Sequence, residues 1–357
     1  MNDPGERLRS NLAADQSSSG PSALGMGDFD SPIAMEAMRA TRVLHAAEQE
    51  PFPVPGRIRV ITIANQKGGV GKTTSTVNLG VALALFGLRT LVIDLDPQGN
   101  TSTALGVDHT VGTPSIYDAL VGDSSLGEVV HPTTASPNLL CVPATIDLAG
   151  AEIELVSVVA REHRLRRSIE AHISALPQEE RPHYVLIDCP PSLGLLTLNA
   201  LVAGDEVLIP IQCEYYALEG LGQLLSNIDL VRAHLNPGIS VRTILLTMYD
   251  GRTKLADQVA DEVRNHFGDL VLQAVIPRNV RVSEAPGYGQ SVLTYDPGSR
   301  GSTSYVEAAR ELAQRGVGML PHERSLTPGA PAVQPVTALA VGDAVPYPGV
   351  PRPQHSQ

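Results

Sequence analysis

The chain has 357 residues, 43% of them hydrophobic and only 4% aromatic, so we expect a mostly aliphatic core in one large α/β domain or two smaller ones. A net charge of −12 argues against a protein that coats DNA over its whole surface, although a local basic face stays compatible with it, because local fields steer ligands. The chain has neither an apolar run long enough to span a bilayer nor an N-terminal basic region followed by an apolar one. We therefore expect a cytoplasmic protein without a membrane segment.

Both ends of the chain differ in composition from its middle. Residues 1–56 are polar, with small residues and several prolines, and are predicted to form a disordered arm. Within this arm, residues 32–48 have the pattern of a short helix, which leaves open a transient helix or a docking or dimer-stabilising one. Residues 321–357 are rich in proline and lack periodicity, so they are predicted to form a disordered tail.

Residues 57–320 alternate between apolar strands and helical patterns, and are predicted to form one folded domain. Strands are predicted at 57–65, 90–95, 184–188, 206–211, 241–248 and 270–276. Helices are predicted at 73–86, 153–173, 220–235, 255–267 and 304–314. Continuous apolar strands that alternate with helices predict an α/β fold, with a mostly parallel twisted sheet and helices on both faces.

The turn between the first strand and the first helix holds two of the three lysines in a chain that otherwise uses arginine as its basic residue. Its sequence is Gln66-Lys67-Gly68-Gly69-Val70-Gly71-Lys72-Thr73-Thr74. Glycines there let backbone N–H groups and the helix N-terminus approach a phosphate. Lys72 is expected to reach the β- and γ-phosphates of a nucleotide and Thr73 to ligate Mg²⁺. The usual GxxxxGK[ST] pattern is not met, because Gln66 stands at its first glycine.

This loop resembles the KGGxGK[ST] motif of the deviant phosphate-loop ATPases, which include partition ATPases, MinD, nitrogenase iron protein and arsenite pump ATPases. The resemblance implies ATP as the nucleotide and a homodimer with ATP sandwiched between the subunits. It also implies that Lys67 crosses to the nucleotide of the partner subunit. There its ammonium would neutralise charge as it develops on the phosphates.

Further segments are similar to the ParA/Soj partition branch, and the resemblance spans about residues 57–316. They begin with Val92-Ile93-Asp94-Leu95-Asp96-Pro97-Gln98-Gly99-Asn100 and Leu148-Ala149-Gly150-Ala151-Glu152-Ile153-Glu154. They continue with Ile187-Asp188-Cys189-Pro190-Pro191-Ser192, the run 212–220 and the run 276–286. Residues 57–320 would then be a ParA-type ATPase domain.

Individual site residues follow from this resemblance. It implies that Asp188 holds Mg²⁺ through water, that Asp96 positions the attacking water and that Asp94 is a structural or switch partner. The implied catalytic set is therefore Lys67, Lys72 and Asp96. The implied nucleotide contacts come from the loop and from positions beside the adenine, namely Lys67, Gly68, Gly69, Val70, Gly71, Lys72, Thr73, Thr74, Met248, Pro277 and Asn279.

A candidate DNA face lies on the loops that follow the last two predicted strands. Arg252 and Arg281 match positions that contact DNA in the resembling proteins, and Lys254 and Arg278 are close to them in sequence. A dimer would double this patch, which favours non-specific binding to double-stranded DNA, with about 4–8 phosphate contacts and a matching dependence on salt. Whether the arginine-rich stretch 161–167 contributes to this face stays open.

The resemblance implies a nucleoid-associated partition ATPase, in which ATP drives dimerisation and DNA binding and a ParB-like partner stimulates hydrolysis and release. An alternative is a relative that positions a non-DNA cargo on the nucleoid. A MinD-like membrane switch is disfavoured, because it would need a basic amphipathic C-terminal helix. An iron–sulfur carrier is disfavoured because Cys189 and Cys213, like Cys141, have the sequence context of core residues.

Overall fold

The computed structural model describes residues 51–215 and 221–318, and these contain one eight-stranded sheet with the order β3-β4-β2-β5-β1-β6-β7-β8. Every pair of neighbouring strands is parallel except β3 with β4. The predicted mostly parallel α/β fold is therefore confirmed. The strands are β1 Arg59–Ile63, β2 Thr90–Asp94, β3 His131–Pro132, β4 Leu139–Val142, β5 Tyr184–Asp188, β6 Glu206–Gln212, β7 Ser240–Tyr249 and β8 Val271–Pro277.

Helices cover both faces of this sheet, and the helix of each crossover returns the chain to the start of the next strand. In the described part of the chain they are α1 Lys72–Leu85, α2 Asn100–Ala104, α3 Ile116–Leu120, α4 Leu148–Glu154, α5 Arg164–Ala175, α6 Leu195–Ala203, α7 Leu221–His234, α8 Lys254–Phe267, α9 Val280–Glu284, α10 Val292–Tyr295 and α11 Arg300–Gln314.

Two apolar layers sandwich the sheet, which explains why its inner strands read as continuous apolar runs. In β2, Leu91 and Ile93 belong to one layer and Val92 to the other. The first layer packs the sheet against α3 to α8, and the second packs it against α1, α10 and α11. Because both faces of these strands are buried, neither face needs polar residues, and the alternation typical of a half-exposed strand disappears.

The prediction of one helix over 153–173 is wrong. Helix α4 already ends at Glu154, two 3₁₀ turns follow, and α5 begins only at Arg164. Between the turns, Ala160 adopts a left-handed conformation with φ of 51°, which an α-helix cannot contain. Elements that the sequence did not reveal include β4 and α6, which contribute side chains such as Val142 and Leu196 to the core.

Residues 51–56, which the sequence assigned to the arm, lie against the domain. Phe52 is buried and stacks on Phe86 with ring centroids 4.2 Å apart, and the Gly56 N–H donates to the Gly316 carbonyl at 3.3 Å. The possible helix at 32–48 and the tail 321–357 lie outside the described residues. Within the described ranges, no helix is both long and apolar enough to cross a membrane.

Candidate functional site

The loop between β1 and α1 lies at the carboxyl edge of the sheet, where its conformation depends on two glycines. Gly69 and Gly71 have φ of 74° and 90°, and a Cβ on Gly69 would meet no atom within 4 Å. The Ser75 N–H donates to the Gly71 carbonyl at 2.8 Å and so closes the first turn of α1. On the other side, the Thr247 hydroxyl at the end of β7 donates to the Val70 carbonyl at 2.8 Å. The loop therefore has open space beside Gly69, and its Val70 carbonyl is fixed to the end of β7.

The two lysines of this loop differ in exposure. Lys72 opens α1 and is only 7% exposed, and its Nζ donates to the Lys67 carbonyl at 3.3 Å. Burial lowers the pKa of Lys72, while the nearby Asp188 carboxylate opposes that shift. A buried ammonium with only a long hydrogen bond to a carbonyl still has capacity for an anionic ligand.

Two carboxyl groups, Asp94 and Asp188, sit side by side under the loop, because they are register partners at the ends of β2 and β5. Both are fully buried. Asp188 accepts hydrogen bonds from the Thr101 hydroxyl at 2.7 Å and the Thr76 hydroxyl at 3.2 Å, and a hydrogen bond with Thr73 also favours its charged form. Burial raises the pKa of Asp188 to about 6 despite these donors.

Asp94 binds the start of the next helix rather than the phosphate loop. Its carboxylate accepts hydrogen bonds from the Ser102 N–H at 2.9 Å, the Ser102 hydroxyl at 2.7 Å and the Asp96 N–H at 3.1 Å. Burial, and then the charge of Asp188, raise the pKa of Asp94 to about 7. These contacts fit the expected structural or switch role.

Asp96 is only 8% exposed and accepts a hydrogen bond from the Gln98 N–H at 3.0 Å. Its charge acts on Lys72 and on Asp188, so the structure brings Asp96 into the same group. One ammonium and three carboxyl groups thus converge at the carboxyl ends of β1, β2 and β5, which is where open α/β sheets bind ligands.

The residues expected beside the adenine lie at or just after the carboxyl ends of β7 and β8. Tyr249 and Pro277 are register partners of β7 and β8, and Met248 precedes Tyr249 with a φ of 51°. A left-handed conformation is costly for a side chain like that of methionine. The Asn279 side chain caps α9 by accepting a hydrogen bond from the Arg281 N–H at 2.8 Å.

The four cations of the candidate DNA face also lie at this edge, after β7 and β8, and are exposed. Each of the three arginines has an acidic neighbour. Arg252 pairs with Asp250 at 2.8 Å, and Arg278 pairs with Glu214. Arg281 pairs with Glu284 at 3.0 Å and Asp296 at 3.3 Å, whereas Lys254 begins α8.

The arginines of the stretch 161–167 have different contacts and therefore different roles. Arg164 donates to the Leu120 and Gly122 carbonyls, both at 2.8 Å, and therefore fixes α5 to the end of α3. Arg166 pairs with Glu170 at 3.0 Å on its own helix. Arg167 is exposed. At least Arg164 is thus a structural residue.

Sequence reasoning missed the hydroxyl groups that hold the carboxylates, namely Thr76, Thr101 and Ser102, and it missed Thr247 behind the loop. Short polar residues inside or beside apolar elements were the available signal, because a buried hydroxyl group needs a hydrogen-bond partner. Most of their partners are distant in the sequence, however, so the sequence alone could not assign them.

The residues present fit a nucleotide with Mg²⁺. The loop glycines leave open space in front of the backbone, and Lys72 and Thr73 adjoin Asp188. Among the described residues, the buried Gln66 Nε2 at the start of the loop is one of the polar side-chain atoms without a hydrogen-bond partner. Such an orphaned donor is uncommon in the interior and suits an acceptor-rich ligand.

Comparison with known proteins decides the family. Residues 58–241 match the family described as an AAA domain, AAA_31. The chain is 52% identical over 258 residues to the sporulation initiation inhibitor protein Soj of Bacillus subtilis, covering 72% of this chain and 99% of that protein. It is also 52% identical to the chromosome partitioning protein ParA of Caulobacter vibrioides, covering 72% of this chain and 95% of that protein. The chain belongs to the Soj/ParA family of chromosome-partitioning ATPases.

Solved structures with a similar fold contain bound nucleotides. Cobyrinic acid a,c-diamide synthase from Mycobacterium smegmatis, with bound ATP analog and magnesium, is 37% identical and gives a TM-score of 0.61, covering 72% of this chain and 95% of that one. The septum site-determining protein MinD from Pyrococcus horikoshii, complexed with Mg-ADP, is 27% identical with a TM-score of 0.57, covering 71% and 96%. This Soj/ParA-family chain therefore has the MinD/ParA P-loop fold.

Proposed function

We propose that this Soj/ParA-family protein hydrolyses ATP with Mg²⁺ and uses the ATP-bound state to bind DNA without sequence preference. The observation that carries this proposal is the convergence of Lys72, Asp188 and Asp96 beneath a glycine loop that is open in front. In phosphoryl transfer, positioning and neutralisation of charge provide most of the catalysis, and this arrangement is suited to both.

The roles of the chain's own residues follow from their positions. Lys72 and the loop N–H groups would hold the β- and γ-phosphates, and Thr74 the α-phosphate. Thr73 and, through water, Asp188 would hold Mg²⁺, which when bound neutralises phosphate charge. Asp96 would orient the water, and Met248, Pro277 and Asn279 would flank the adenine.

Dimerisation is the second part of the proposal. Lys67 belongs to the same loop as Lys72 but is less buried, and its ammonium would cross to the nucleotide of a second subunit. A homodimer with ATP at the interface would act as a switch, because hydrolysis removes contacts that both subunits share. Such a dimer would also join two copies of the basic patch formed by Arg252, Lys254, Arg278 and Arg281.

The proposed cellular role is to move a chromosome or plasmid origin over the nucleoid, with release stimulated by a ParB-like centromere-binding partner. On the same basis we propose the division into an arm (1–56), a ParA-type ATPase domain (57–320) and a tail (321–357), with residues 51–56 of the arm lying against the domain. Stimulation of hydrolysis by such a partner would distinguish origin partition from the positioning of another cargo.

The experiment that tests this function is binding to a random-sequence DNA duplex with ATP, with ADP and without nucleotide, across a salt series. We expect binding only with ATP and Mg²⁺, and a steep loss of affinity with salt. Lys72→Ala should lose nucleotide binding and, with it, DNA binding. Lys254→Ala removes a lysine outside the loop and should keep nucleotide binding. DNA binding that does not depend on nucleotide, or none in any state, would contradict the proposal.

A further inference from the structure

We propose that α2 is a mechanical link between the carboxylates of the nucleotide site and the segment 280–295, and that Thr101 positions Asp188 as its first member. The segment 280–295 carries Arg281, a residue of the candidate DNA face. The proposal rests on the proposed function, because it describes how the state of the nucleotide site reaches that face.

The site end of the link consists of hydrogen bonds that two consecutive residues of α2 donate to the carboxylates. The Thr101 hydroxyl donates to Asp188 Oδ2 at 2.7 Å, and Ser102 donates its N–H and hydroxyl to Asp94 Oδ2 at 2.9 Å and 2.7 Å. Thr101 and Ser102 are fully buried, and Asp94 and Asp188 end adjacent strands. A change in the position of Asp188 therefore acts directly on α2.

The far end of the link is a contact between two backbones. Gly106 follows α2 with φ of 67°, and a Cβ built on it would lie 3.2 Å from the Gly289 carbonyl oxygen. A Cβ on Gly289 would lie 3.5 Å from Gly106 Cα and from the Thr103 carbonyl oxygen. Backbone atoms cannot move aside as side chains do, so a shift of α2 must displace Gly289 or be resisted by it.

The segment 280–295 is fixed at one end and carries an exposed aromatic ring near the contact. The Val292 N–H donates to the Asn78 Oδ1 of α1 at 2.8 Å, which fixes the distal part. Nearer to Gly289, the Tyr288 ring is 68% exposed and stacks on Tyr295, with centroids 5.0 Å apart. Arg281 lies on the other side of this turn and contacts Glu284 and Asp296.

A cavity of about 380 Å³ separates α1, α2 and this segment, and its walls include Thr74, Asn100, Thr103, Pro286 and Gln290. Thr73 and Thr74, assigned above to the nucleotide site, line this cavity, so a nucleotide would bind next to the space between α2 and the turn 286–290. Helix α2 thus contacts Asp94 and Asp188 at one end and Gly289 at the other, and a cavity lies beside it. This combination transmits a small displacement instead of absorbing it.

A single-tryptophan reporter tests the link without relying on DNA or on turnover, because the natural chain contains no tryptophan. Tyr288→Trp places the indole on the segment that should move. We expect its fluorescence to change when ATP and Mg²⁺ bind. In the reporter background, Thr101→Val removes the hydroxyl group and should abolish most of that change, whereas Thr101→Ser keeps the hydroxyl and should retain it. Nucleotide binding is measured separately by calorimetry, so that every variant is compared at saturation.

The far end has its own pair of variants. Gly106→Ala forces a Cβ against Gly289 and should also suppress the fluorescence change. Gly112→Ala is the matched control, because Gly112 has a φ of 89° but no atom within 4 Å of its Cβ position. Local strain is therefore similar, but the contact is absent. If Gly106→Ala does not fold, Gly289→Ala takes its place, because it adds a Cβ to the same contact from the Gly289 side.

Several outcomes would overturn the link. They are an undiminished signal in both Thr101→Val and Gly106→Ala, an equal loss in Gly112→Ala, or a reporter that stays silent when nucleotide binds. If the reporter responds as expected while no DNA binds, the link stands and the proposed function fails. If the chain binds no nucleotide at all, both fail. Where DNA does bind, Thr101→Val should reduce the ratio of affinities with ATP and ADP by about two- to thirty-fold.

Discussion

Met248 combines a strained backbone with a position beside the loop. Its φ is 51°, and its neighbour Thr247 donates to the Val70 carbonyl of that loop. Asparagine tolerates the left-handed region better than methionine does. We therefore expect Met248→Asn to raise the free energy of unfolding by up to about 1 kcal/mol. It should also weaken ATP binding, because the variant lacks the thioether side chain that we propose to flank the adenine. Chemical denaturation and calorimetric titration with ATP measure the two effects.

Ala160 supplies the matched control for Met248. It is the other described non-glycine residue with positive φ, also 51°, and it lies in the turns between α4 and α5. Ala160→Gly relieves a comparable strain and should stabilise the fold without changing nucleotide affinity. If Met248→Asn binds ATP as tightly as the natural chain, Met248 does not contact the base.

Asp94 should make the nucleotide-free protein less stable as pH rises. Burial and the neighbouring Asp188 raise the pKa of Asp94 to about 7, above the ordinary value near 3.8. Since the folded state holds the proton more tightly, the stability from this group is full below about pH 4 and is lost as pH rises to about 7. The slope cannot exceed about 1.4 kcal/mol per pH unit for one group.

Asp94→Asn isolates this effect from the rest of the pH dependence. An amide cannot titrate, so the melting temperature of the variant should fall less between pH 5 and pH 8 than that of the natural chain. The variant also loses acceptor capacity for Ser102 and Asp96, which lowers stability at every pH, so the slope rather than the absolute value is diagnostic. If the melting temperatures of the variant and the natural chain fall equally with pH in the absence of nucleotide, Asp94 is not the group that titrates.

At this scale, the sequence predicted which residues face the phosphate loop but not what holds them. The glycine and lysine pattern and the strand-terminal Asp188 can be recognised because their spacing is local. Thr101 contacts a residue 87 positions away, and Thr247 contacts one 177 positions away. Such pairs depend on the strand order of the sheet, which no local pattern contains.

Between α3 and α5, Arg164 acts as a cap that the sequence presented as part of a basic stretch. Its guanidinium donates to two carbonyls at the end of α3, those of Leu120 and Gly122. Arg164→Ala should lower the free energy of unfolding by about 1–3 kcal/mol, because partly buried carbonyls lose their donors. Arg167→Ala removes an exposed arginine from the same helix and should change stability by less than about 0.5 kcal/mol. Equal effects of the two variants in urea denaturation would contradict this role.

Elements with long apolar patterns were predictable, and short or interrupted ones were not. The strand predicted at 184–188 is confirmed as β5, and the helix predicted at 255–267 differs from α8 by one residue. In contrast, the predicted helix 153–173 is broken at Ala160, because an alanine in a left-handed conformation leaves no mark on apolar periodicity. Strand β4 has only four residues, too few for a pattern to distinguish it from a loop.

For the whole molecule, the proposed binding to a polyanion must coexist with a net charge of −12. The arginines of the candidate DNA face are each paired with an acidic residue in the isolated chain, and these exposed pairs contribute little to stability. DNA phosphates would therefore compete with Asp250, Glu214 and Glu284 for the same guanidinium groups. The acidic partners, as well as the arginines, should control DNA affinity.

This competition predicts that two substitutions on the candidate DNA face change DNA affinity in opposite directions. Arg281→Glu should weaken ATP-dependent DNA binding and lower the slope of log affinity against log salt by about 1 for each lost phosphate contact. Glu284→Gln leaves Arg281 with one acidic neighbour fewer and should strengthen binding. Arg242→Glu makes the same change in net charge at the start of β7, the opposite edge of the sheet, and should leave the salt slope unchanged. Fluorescence anisotropy of a labelled duplex measures all three.

If Arg242→Glu weakens binding as much as Arg281→Glu does, the total charge governs affinity and there is no discrete face. If Glu284→Gln weakens binding, its carboxylate orders Arg281 for DNA instead of competing with it.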